Sequence, residues 1–394
     1  MQKKKLSWSR RKFVAGLGKT GAFLMIHPLL SWANENEIDP RVAKIVAKTF
    51  GIDSHNHVDV PLVTAELPGP NVDLVGDLKK SGLGAIVMTF AVDYQKLSYE
   101  GQAYERFING LDAMDVILKN NKIQRALTIK DLQKAHKQKQ PIVIQSVEGG
   151  HFLEGKIERL QVAYDRGLRH LGLLHDNDAS VPLGDIYTNP PSWGGLTEFG
   201  SAVIKTCNRL GILIDLTHCS NDTINAALKV STQPIMVSHT GLDTKLGQNA
   251  NMAKMMKPRL ISKEQAKIVA DAGGVIGVWK HLTETPQEYA ENIRAMVDVV
   301  GVDHVCIGTD TKLTPAYRAP RKPDDQAQNP VVNASPAPER IGERSNLVWK
   351  DQKEGFYYTV VDALLKTGFS ENEIAKIGGG NFLRVFKAAT KPGG

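Results

Sequence analysis

Two histidines stand two positions apart in the segment GIDSHNHVDVPL, residues 51–62. His55 and His57 close a short apolar run, and alternate residues of a β-strand point to the same side. Their imidazole nitrogens could therefore bind one metal ion together. Two histidines do not define such a site, so the prediction depends on further ligand-type residues at the ends of other strands.

Further histidines and carboxylates close other apolar runs of the chain. They are Glu148 in QSVEGG, His175 in LGLLHD, His218 in IDLTH, His239 in MVSHT and Asp310 in CIGTD. A lone histidine in such a position is more often a buried, hydrogen-bonded side chain, but five histidines and two carboxylates favour a common site. Imidazole and carboxylate ligands without thiolate are typical of a catalytic zinc or another divalent ion. Two ions bridged by a carboxylate and a hydroxide would acidify water and polarise a carbonyl, with Asp310 placed to move protons.

Eight apolar segments with strand character alternate with helical patterns after residue 50. They cover residues 51–57, 85–92, 141–148, 170–175, 212–218, 234–239, 274–280 and 304–310. Buried-type strands separated by helices predict an α/β fold, a TIM-like (β/α)8 barrel with the site at the C-terminal mouth of the strands. The competing open, doubly wound sheet would need a glycine-rich phosphate loop after a strand, and Gly378-Gly379-Gly380 near the chain end does not follow one.

One segment interrupts this alternation. Residues 312–346 follow the eighth strand and are rich in proline and charge. We expect an extended loop there, which could cover the catalytic face as a lid, and an unstructured insertion is an equal alternative. Helical patterns resume at 355–366 and 381–389 and are expected to close one domain over residues 34–394.

The first 33 residues have the features of an export signal. Ser9-Arg10-Arg11-Lys12-Phe13-Val14 resembles the twin-arginine motif and precedes an apolar run and the small residues of Ser31-Trp32-Ala33. We therefore expect the twin-arginine export machinery as a partner, removal of residues 1–33 near Ala33, and a periplasmic mature protein. The alternative is a basic, amphipathic first helix of the fold.

Charge and cysteine content narrow the classes of partner. The 49 Lys and Arg residues exceed the 42 Asp and Glu residues by +7, and all seven excess charges lie in the first 33 residues, which contain no acid. The rest of the chain is neutral overall, so we expect no general attraction to nucleic acid. Cys207, Cys219 and Cys306 have no paired spacing and are predicted to be buried free thiols. A homodimer is allowed but not indicated by these features.

In its motifs the chain resembles the membrane dipeptidase (renal dipeptidase, peptidase M19) family of the amidohydrolase superfamily. The resemblance covers roughly residues 50–390 and is carried, in family order, by DSHNH, VEGGH, GLRHLGLLH, GLTEFG, GILIDLTH, IMVSHT, KPRLISKEQ, GVDHVCIGTD and GGNFLRVF. It implies an exported, zinc-dependent dipeptidase that hydrolyses small peptide substrates with a metal-bridging hydroxide.

The resemblance also implies a role for each site residue. Five residues would hold two Zn²⁺ or other divalent ions: His55 and His57 the first, His218 and His239 the second, with Glu148 as the bridge. Asp310 would be the proton shuttle and amine contact, and His175 would hydrogen-bond the substrate and stabilise the oxyanion. Arg259, in PRLIS, would hold the substrate carboxylate through its planar guanidinium, although a solvated surface arginine is the alternative. His151 is expected to support the site without binding the metal.

The chain departs from the family pattern at three places. His57 stands where the family usually has aspartate, which makes the site one charge unit more positive. Thr311 follows Asp310 where a second acidic residue often stands, and residues 176–193 differ from the usual segment after the substrate histidine. These departures concern the first metal and the shape of the substrate pocket.

Two other functions are compatible with the residues. One is hydrolysis of a different bond on the same scaffold, in a lactone, a modified amino acid or a phosphoester. The other is a dipeptidase-like protein that binds or matures a product without peptide hydrolysis. Measurements of metal content, of dipeptide turnover and of the dependence of activity on Arg259 would distinguish these two functions from dipeptide hydrolysis.

Overall fold

The computed structural model describes residues 38–94, 96–315, 317, 349, 352 and 354–391. The predicted export signal at 1–33 lies outside the described residues, and so does the predicted 312–346 loop apart from its first few positions. Both therefore stay predictions.

Nine parallel strands form the central sheet of the described residues. They are β1 Ile52–His57, β2 Ala85–Thr89, β3 Ile142–Glu148, β4 Leu168–Gly172, β5 Leu213–Asp215, β6 Met236–Thr240, β7 Val275–Val278, β8 Val305–Ile307 and β9 Thr311–Lys312. Strands β1 to β8 neighbour one another in chain order, and β9 pairs with the free side of β1. Since β9 follows β8 after three residues, this pairing curls the sheet back on its first strand. The predicted TIM-like barrel is confirmed, with strand ends shifted by a few residues and β9 added.

Helices alternate with the strands and pack against the outside of the sheet. The α-helices are α1 Pro40–Lys48, α2 Leu74–Ser81, α3 Gln102–Asn121, α4 Ile129–Gln138, α5 Arg159–Asp165, α6 Glu198–Leu210, α7 Asn221–Val230, α8 Ala250–Met256, α9 Lys263–Asp271, α10 Pro286–Val300, α11 Phe356–Lys366, α12 Glu371–Ala375 and α13 Asn381–Ala389. Short 3₁₀ turns cover Thr64–Glu66, Gly150–Leu153, Lys257–Arg259 and Val302–His304, and a π turn covers Lys376–Gly380. Within the described ranges, no helix has both the length and the apolar character needed to cross a membrane.

The two faces of the strands belong to different parts of the core. On β2, Ala85 and Val87 pack in a cluster that also includes apolar residues of β1, β3, β5, β6, β7 and β8. This cluster fills the inside of the barrel, and Phe382 and Phe386 of α13 pack into it. The alternate residues, such as Ile86, belong to the larger cluster between the sheet and the outer helices. The period of two along each strand thus separates barrel interior from helix contact. The three cysteines are buried and unpaired, as predicted.

A buried carboxylate ties β1 to the segment that follows β8. Asp53 accepts hydrogen bonds from the backbone N–H and the hydroxyl of Thr309 at 2.9 and 2.6 Å, and from Nδ2 of Asn56 at 2.9 Å. The N–H of Asp310 donates to the carbonyl of His55 at 3.1 Å. Burial raises the pKa of Asp53 despite the hydrogen bonds that lower it. This link fixes Asp310 beside His55 at the barrel mouth.

Replacement of Asp53 by alanine should lower the free energy of unfolding by about 3 kcal/mol, because the Thr309 donors would be left buried and unpaired. Denaturant-induced unfolding of the metal-saturated protein measures this change. Asp298 is an exposed acid on α10 and serves as the matched control, with an expected effect of less than about 0.5 kcal/mol on replacement by alanine. Equal effects at the two positions would contradict the role assigned to Asp53.

Candidate metal centre

The carboxylate of Glu148 lies at the centre of the barrel mouth. Glu148 is the last residue of β3 and is buried. The Nε2 atoms of five histidines surround its oxygens: His218 at 2.8 Å, His55 at 3.4 Å, His175 and His239 at 3.5 Å, and His57 at 3.6 Å. Asp310 Oδ1 lies 3.2 Å from Nε2 of His57. The structure therefore brings seven of the eight predicted site residues together around one carboxylate.

Strand ends and turns position these side chains in different ways. His55 and His57 alternate on β1, and His239 is part of β6. His175, His218 and Asp310 were expected to end their strands, but they lie beyond the last residues of β4, β5 and β8. His218 and Asp310 have left-handed backbones with φ of 68° and 53°, which is uncommon for residues with a side chain. The strands end early because the chain turns there, and both side chains reach the mouth from these turns.

Each of the five histidines has a partner at Nδ1, the ring nitrogen away from Glu148. The partners are the Ser238 hydroxyl for His55 at 3.2 Å and for His239 at 2.9 Å, the Tyr94 hydroxyl for His57 at 2.9 Å, the Asp93 carboxylate for His175 at 2.7 Å, and the Tyr187 hydroxyl for His218 at 2.7 Å. A hydrogen bond at one ring nitrogen fixes the orientation of the imidazole and presents the other nitrogen to the site. The rings are therefore held with Nε2 toward Glu148.

Ser238 holds two of these rings at once. Its hydroxyl is also in short contact with the buried carboxylate of Asp215. A hydroxyl has one proton to donate and two lone pairs that accept. When the proton goes to Asp215, the lone pairs accept Nδ1–H of His55 and of His239. This arrangement fixes the same tautomer in both rings and leaves both Nε2 lone pairs for a cation.

The charges around Glu148 are strongly coupled. Burial lowers the pKa of His55, but the charge and hydrogen bond of Glu148 together with the charges of Asp310 and Asp215 outweigh burial and raise this pKa to about 9. Burial also lowers the pKa of His218, but the hydrogen bonds and the negative charges of Asp176 and Glu148 together outweigh burial and raise this pKa to about 10. Burial raises the pKa of Glu148, yet the charges and hydrogen bonds of the surrounding histidines hold it well below its usual value. A cation at these Nε2 atoms must displace protons, so its affinity should fall as the pH falls.

The donor atoms fit a divalent cation. Oε2 of Glu148 is buried and has no hydrogen-bond partner within the described part of the chain. The Nε2 atoms of His55 and His57 face each other at 3.2 Å, and so do those of His218 and His239. Once the protons of these rings are displaced, the facing lone pairs would repel unless a cation bound both members of each pair. Imidazole and carboxylate donors without thiolate suit zinc and several other divalent metals.

Among the residues that the structure describes, three groups of side chains have ligand atoms close enough to share one ion. They are His55 with His57 and Asp310, His55 with Glu148 and His239, and Glu148 with His175 and His218, with all ligand atoms of a group within 4.8 Å of one another. Asp310 and His175, which were predicted to act on the substrate, thus lie within reach of a metal as well. His151 belongs to none of these groups, and its Nε2 contacts the carbonyl of Asn177 at 2.8 Å.

Several residues that orient the site were missed in the sequence. Asp93 and Tyr94 directly follow the apolar run 85–92, which was the signal that could have revealed them. Asp215 and Ser238 are polar residues within buried strands, which is a second such signal. His281, whose Nε2 lies 2.9 Å from Oδ2 of Asp310, directly follows the apolar run 274–280 and carried the same signal as Asp93.

Arg259, the eighth predicted residue, lies beside the centre and is partly buried. Its Nη2 donates to Oδ2 of Asp176 at 2.8 Å, and its Nη1 donates to the carbonyl of Met255 at 3.3 Å. The guanidinium carbon lies 5.7 Å from the ring centroid of Tyr187, which stacks on His218. The sequence placed Arg259 near the site, but its partner Asp176 was not predicted.

Comparison with known proteins agrees with this geometry. The sequence model of the family described as membrane dipeptidase (peptidase family M19) matches residues 40–319. Dipeptidase 3 of Macaca fascicularis is 26% identical over 263 residues, a match that covers 62% of this chain and 44% of that protein. The chain therefore spans less than half the length of this curated relative.

Solved structures share the fold over nearly their whole length. An amidohydrolase from Pseudomonas aeruginosa has 22% identity and a TM-score of 0.65, covering 88% of this chain and 98% of that one. The probable dipeptidase PvdM from the same organism has 17% identity and a TM-score of 0.68, covering 90% and 98%. A metallo peptidase from Rhodobacter sphaeroides, solved with a phosphinate mimic of the dipeptide L-Ala-D-Ala, has 15% identity and a TM-score of 0.62, covering 86% and 99%.

Replacement of Ser238 by alanine should weaken metal binding by about 10- to 100-fold, because two imidazole rings would lose their shared hydrogen-bond partner. Competition with a chromophoric chelator measures this affinity. Ser146 is the matched control: its hydroxyl is 2.8 Å from Nδ1 of His170, a buried histidine outside the three donor groups. Ser146→Ala should retain the unaltered affinity. Unchanged metal binding in Ser238→Ala would contradict the shared-partner interpretation.

Proposed function

The chain belongs to the membrane dipeptidase family, peptidase family M19, and from this premise we propose that it is a metal-dependent dipeptidase. The observation that carries the proposal is the convergence of five oriented histidine Nε2 atoms on the buried carboxylate of Glu148. A structural site would need only to enclose an ion, whereas this one lies at the barrel mouth, where enzymes of this fold bind substrates.

Five residues of the centre would hold two zinc ions: His55, His57, Glu148, His218 and His239. When bound, zinc at such a site lowers the pKa of water and polarises the peptide carbonyl. His57 takes the place of the usual aspartate, and Asp310 Oδ1 at 3.2 Å from its Nε2 supplies a negative charge beside it. The first ion would thus keep a nearby carboxylate although residue 57 is neutral.

Asp310 would move the proton of the reaction. Its carboxylate is partly exposed at the mouth, and His281 holds Oδ2 through Nε2 at 2.9 Å. Oδ1 remains on the side of His57 and the metal centre. From this position the carboxylate would take a proton from the attacking water and deliver it to the nitrogen of the leaving amine.

His175 would stabilise the negative charge that develops on the carbonyl oxygen. Burial lowers its pKa, but the charge of Glu148 and the hydrogen bond to Asp93 raise it overall, which favours a proton on Nε2 as well as on Nδ1. Asp93 accepts from Nδ1, and the proton on Nε2 is then directed into the centre. A fixed donor aimed at a developing oxyanion is a common source of rate enhancement.

We further propose that the protein acts after export to the periplasm. The support is the order of the twin arginines Arg10 and Arg11, the apolar run and the small residues around Ala33. The twin-arginine route carries folded proteins, so the metal could be bound before export.

Metal removal should abolish peptide hydrolysis. We expect the zinc-loaded protein to hydrolyse members of a dipeptide library, to lose this activity after dialysis against a chelator and to regain it with zinc, because the attacking water depends on the metal. Ninhydrin detection of released amino acids, with elemental analysis of the same samples, measures activity and stoichiometry together. Metal-loaded protein that hydrolyses a lactone or phosphoester but no dipeptide would overturn the proposed function.

Asp310→Asn should lower kcat by about 10²- to 10⁴-fold although saturating zinc still fills the site, because an amide cannot carry the proton. Steady-state kinetics and elemental analysis of one preparation check both parts. Asp303→Asn, at the opposite end of β8, is the control and should keep the unaltered kcat. Loss of metal in Asp310→Asn would instead identify Asp310 as a ligand and contradict its assignment as proton carrier.

A further inference from the structure

Two tyrosine hydroxyls contact candidate metal ligands, one in each of the two facing histidine pairs. The hydroxyl of Tyr94 lies 2.9 Å from Nδ1 of His57, and the hydroxyl of Tyr187 lies 2.7 Å from Nδ1 of His218. When Nε2 of each ring is free for a cation, Nδ1 carries the proton and donates it to the phenol oxygen. Each hydroxyl then still has its own proton to donate.

The two hydroxyl protons differ in the acceptors that the protein offers them. Tyr187 donates to Oδ1 of Asp176 at 3.4 Å, so its proton is used within the chain. Among the residues that the structure describes, the hydroxyl of Tyr94 has hydrogen-bond contacts with the ring of His57 alone. That ring cannot accept the proton while Nδ1 donates and Nε2 binds a cation. The Tyr94 hydroxyl is therefore a donor without an acceptor in the described part of the chain.

This hydroxyl lies at the edge of the metal centre. It is 3.5 Å from Nε2 of His57, the ring nitrogen that faces Glu148. The ring of Tyr94 meets the ring of His175 edge-on, with the two centroids 5.6 Å apart, and the residue is 49% exposed at the barrel mouth. The donor is thus next to the centre and beside the histidine assigned to the oxyanion, on a side chain that a substrate can reach.

We propose that Tyr94 is a further catalytic residue, whose hydroxyl donates a hydrogen bond to the oxygen of the scissile carbonyl as negative charge develops there. The inference rests on the proposed function, because it adds a donor to the same peptide-hydrolysing site. A phenol suits this contact, since it is protonated at neutral pH and carries no charge. Together with His175 it gives the oxyanion two fixed donors, which act most strongly in the transition state.

The experiment compares two ligands in zinc-loaded Tyr94→Phe, a variant that loses the hydroxyl and keeps the ring. One ligand is a phosphinate analogue of alanyl-alanine, whose tetrahedral centre carries charged oxygens, and the other is its all-methylene isostere, which has no oxygen at that position. Isothermal titration at saturating zinc gives both affinities without turnover, and elemental analysis confirms equal metal content. Tyr94→Phe should weaken binding of the phosphinate by about tenfold or more and of the isostere by less than about twofold.

Steady-state kinetics of dipeptide hydrolysis give a second readout. The kcat of Tyr94→Phe should fall by about 10²-fold, with KM within about threefold of that of the unaltered protein, because the hydrogen bond forms with the charge of the transition state. A residue that only supported the fold would not separate kcat from KM in this way.

Tyr187→Phe is the matched control, because it also removes a hydroxyl from Nδ1 of a candidate metal ligand. Both variants should bind zinc about 10- to 100-fold more weakly in competition with a chelator. At saturating zinc, only Tyr94→Phe should change the ratio of the two ligand affinities. Tyr99→Phe removes an exposed hydroxyl that donates to Oε2 of Glu105 at 2.7 Å and should leave both the zinc affinity and the ratio unaltered.

Distinct outcomes decide the inference and the proposed function. A ratio in Tyr94→Phe within about twofold of the unaltered protein, an equal change of the ratio in Tyr187→Phe, or no binding of the phosphinate to unaltered protein overturns the inference. Failure of Tyr94→Phe to hold zinc at saturation also overturns it, because the hydroxyl would then serve only to orient His57. Efficient hydrolysis of dipeptides by the unaltered protein with such a result leaves the proposed function standing. The expected ratio without hydrolysis of any peptide keeps the inferred contact and overturns the proposed function.

Discussion

The organisation of this protein depends on one buried carboxylate surrounded by imidazoles. Glu148 has almost no contact with solvent, and the Nε2 atoms of five histidines lie within 3.6 Å of its oxygens. A buried charge is costly unless opposite charge or hydrogen bonds compensate it. The geometry meets this requirement by placing every Nε2 atom toward the carboxylate, and the same geometry creates a ligand set for divalent cations. The same Nε2 atoms that stabilise the buried charge of Glu148 therefore also make the site suited to a divalent cation.

The orientation of the imidazole rings depends on a second layer of side chains, which hydrogen-bond the Nδ1 atoms of the histidines. Serine, tyrosine and aspartate side chains hold the Nδ1 atoms, and Ser238 serves two histidines because its own proton is directed to Asp215. Two of these partners also reach beyond the metal centre. Tyr94 is half-exposed at the mouth, and Tyr187 lies between His218 and Arg259. Residues that orient the candidate metal ligands therefore also extend to the surface of the barrel mouth and to Arg259.

The departures from the family pattern have local compensation in the structure. His57 lacks the negative charge of the usual aspartate, but Asp310 lies 3.2 Å away and is held there by His281. Arg259 keeps its position beside the centre, but Asp176 pairs with it. The first change leaves the donor set suited to a divalent metal, and the second gives Arg259 an ion-pair partner within the chain.

The sequence by itself determined the barrel, because apolar strands with alternating helices have few ways to bury both faces of a parallel sheet. It also determined the candidate ligands, since Glu148, His218 and the other strand-end residues converge at the mouth of any such barrel. Asp176 and His281 directly follow the apolar runs 170–175 and 274–280, but only the tertiary structure showed which side chains they contact. Tyr187 comes from a loop without sequence periodicity. The same holds for the ion pair of Arg259, because a contact between residues 83 positions apart depends on how two loops fold over the barrel mouth.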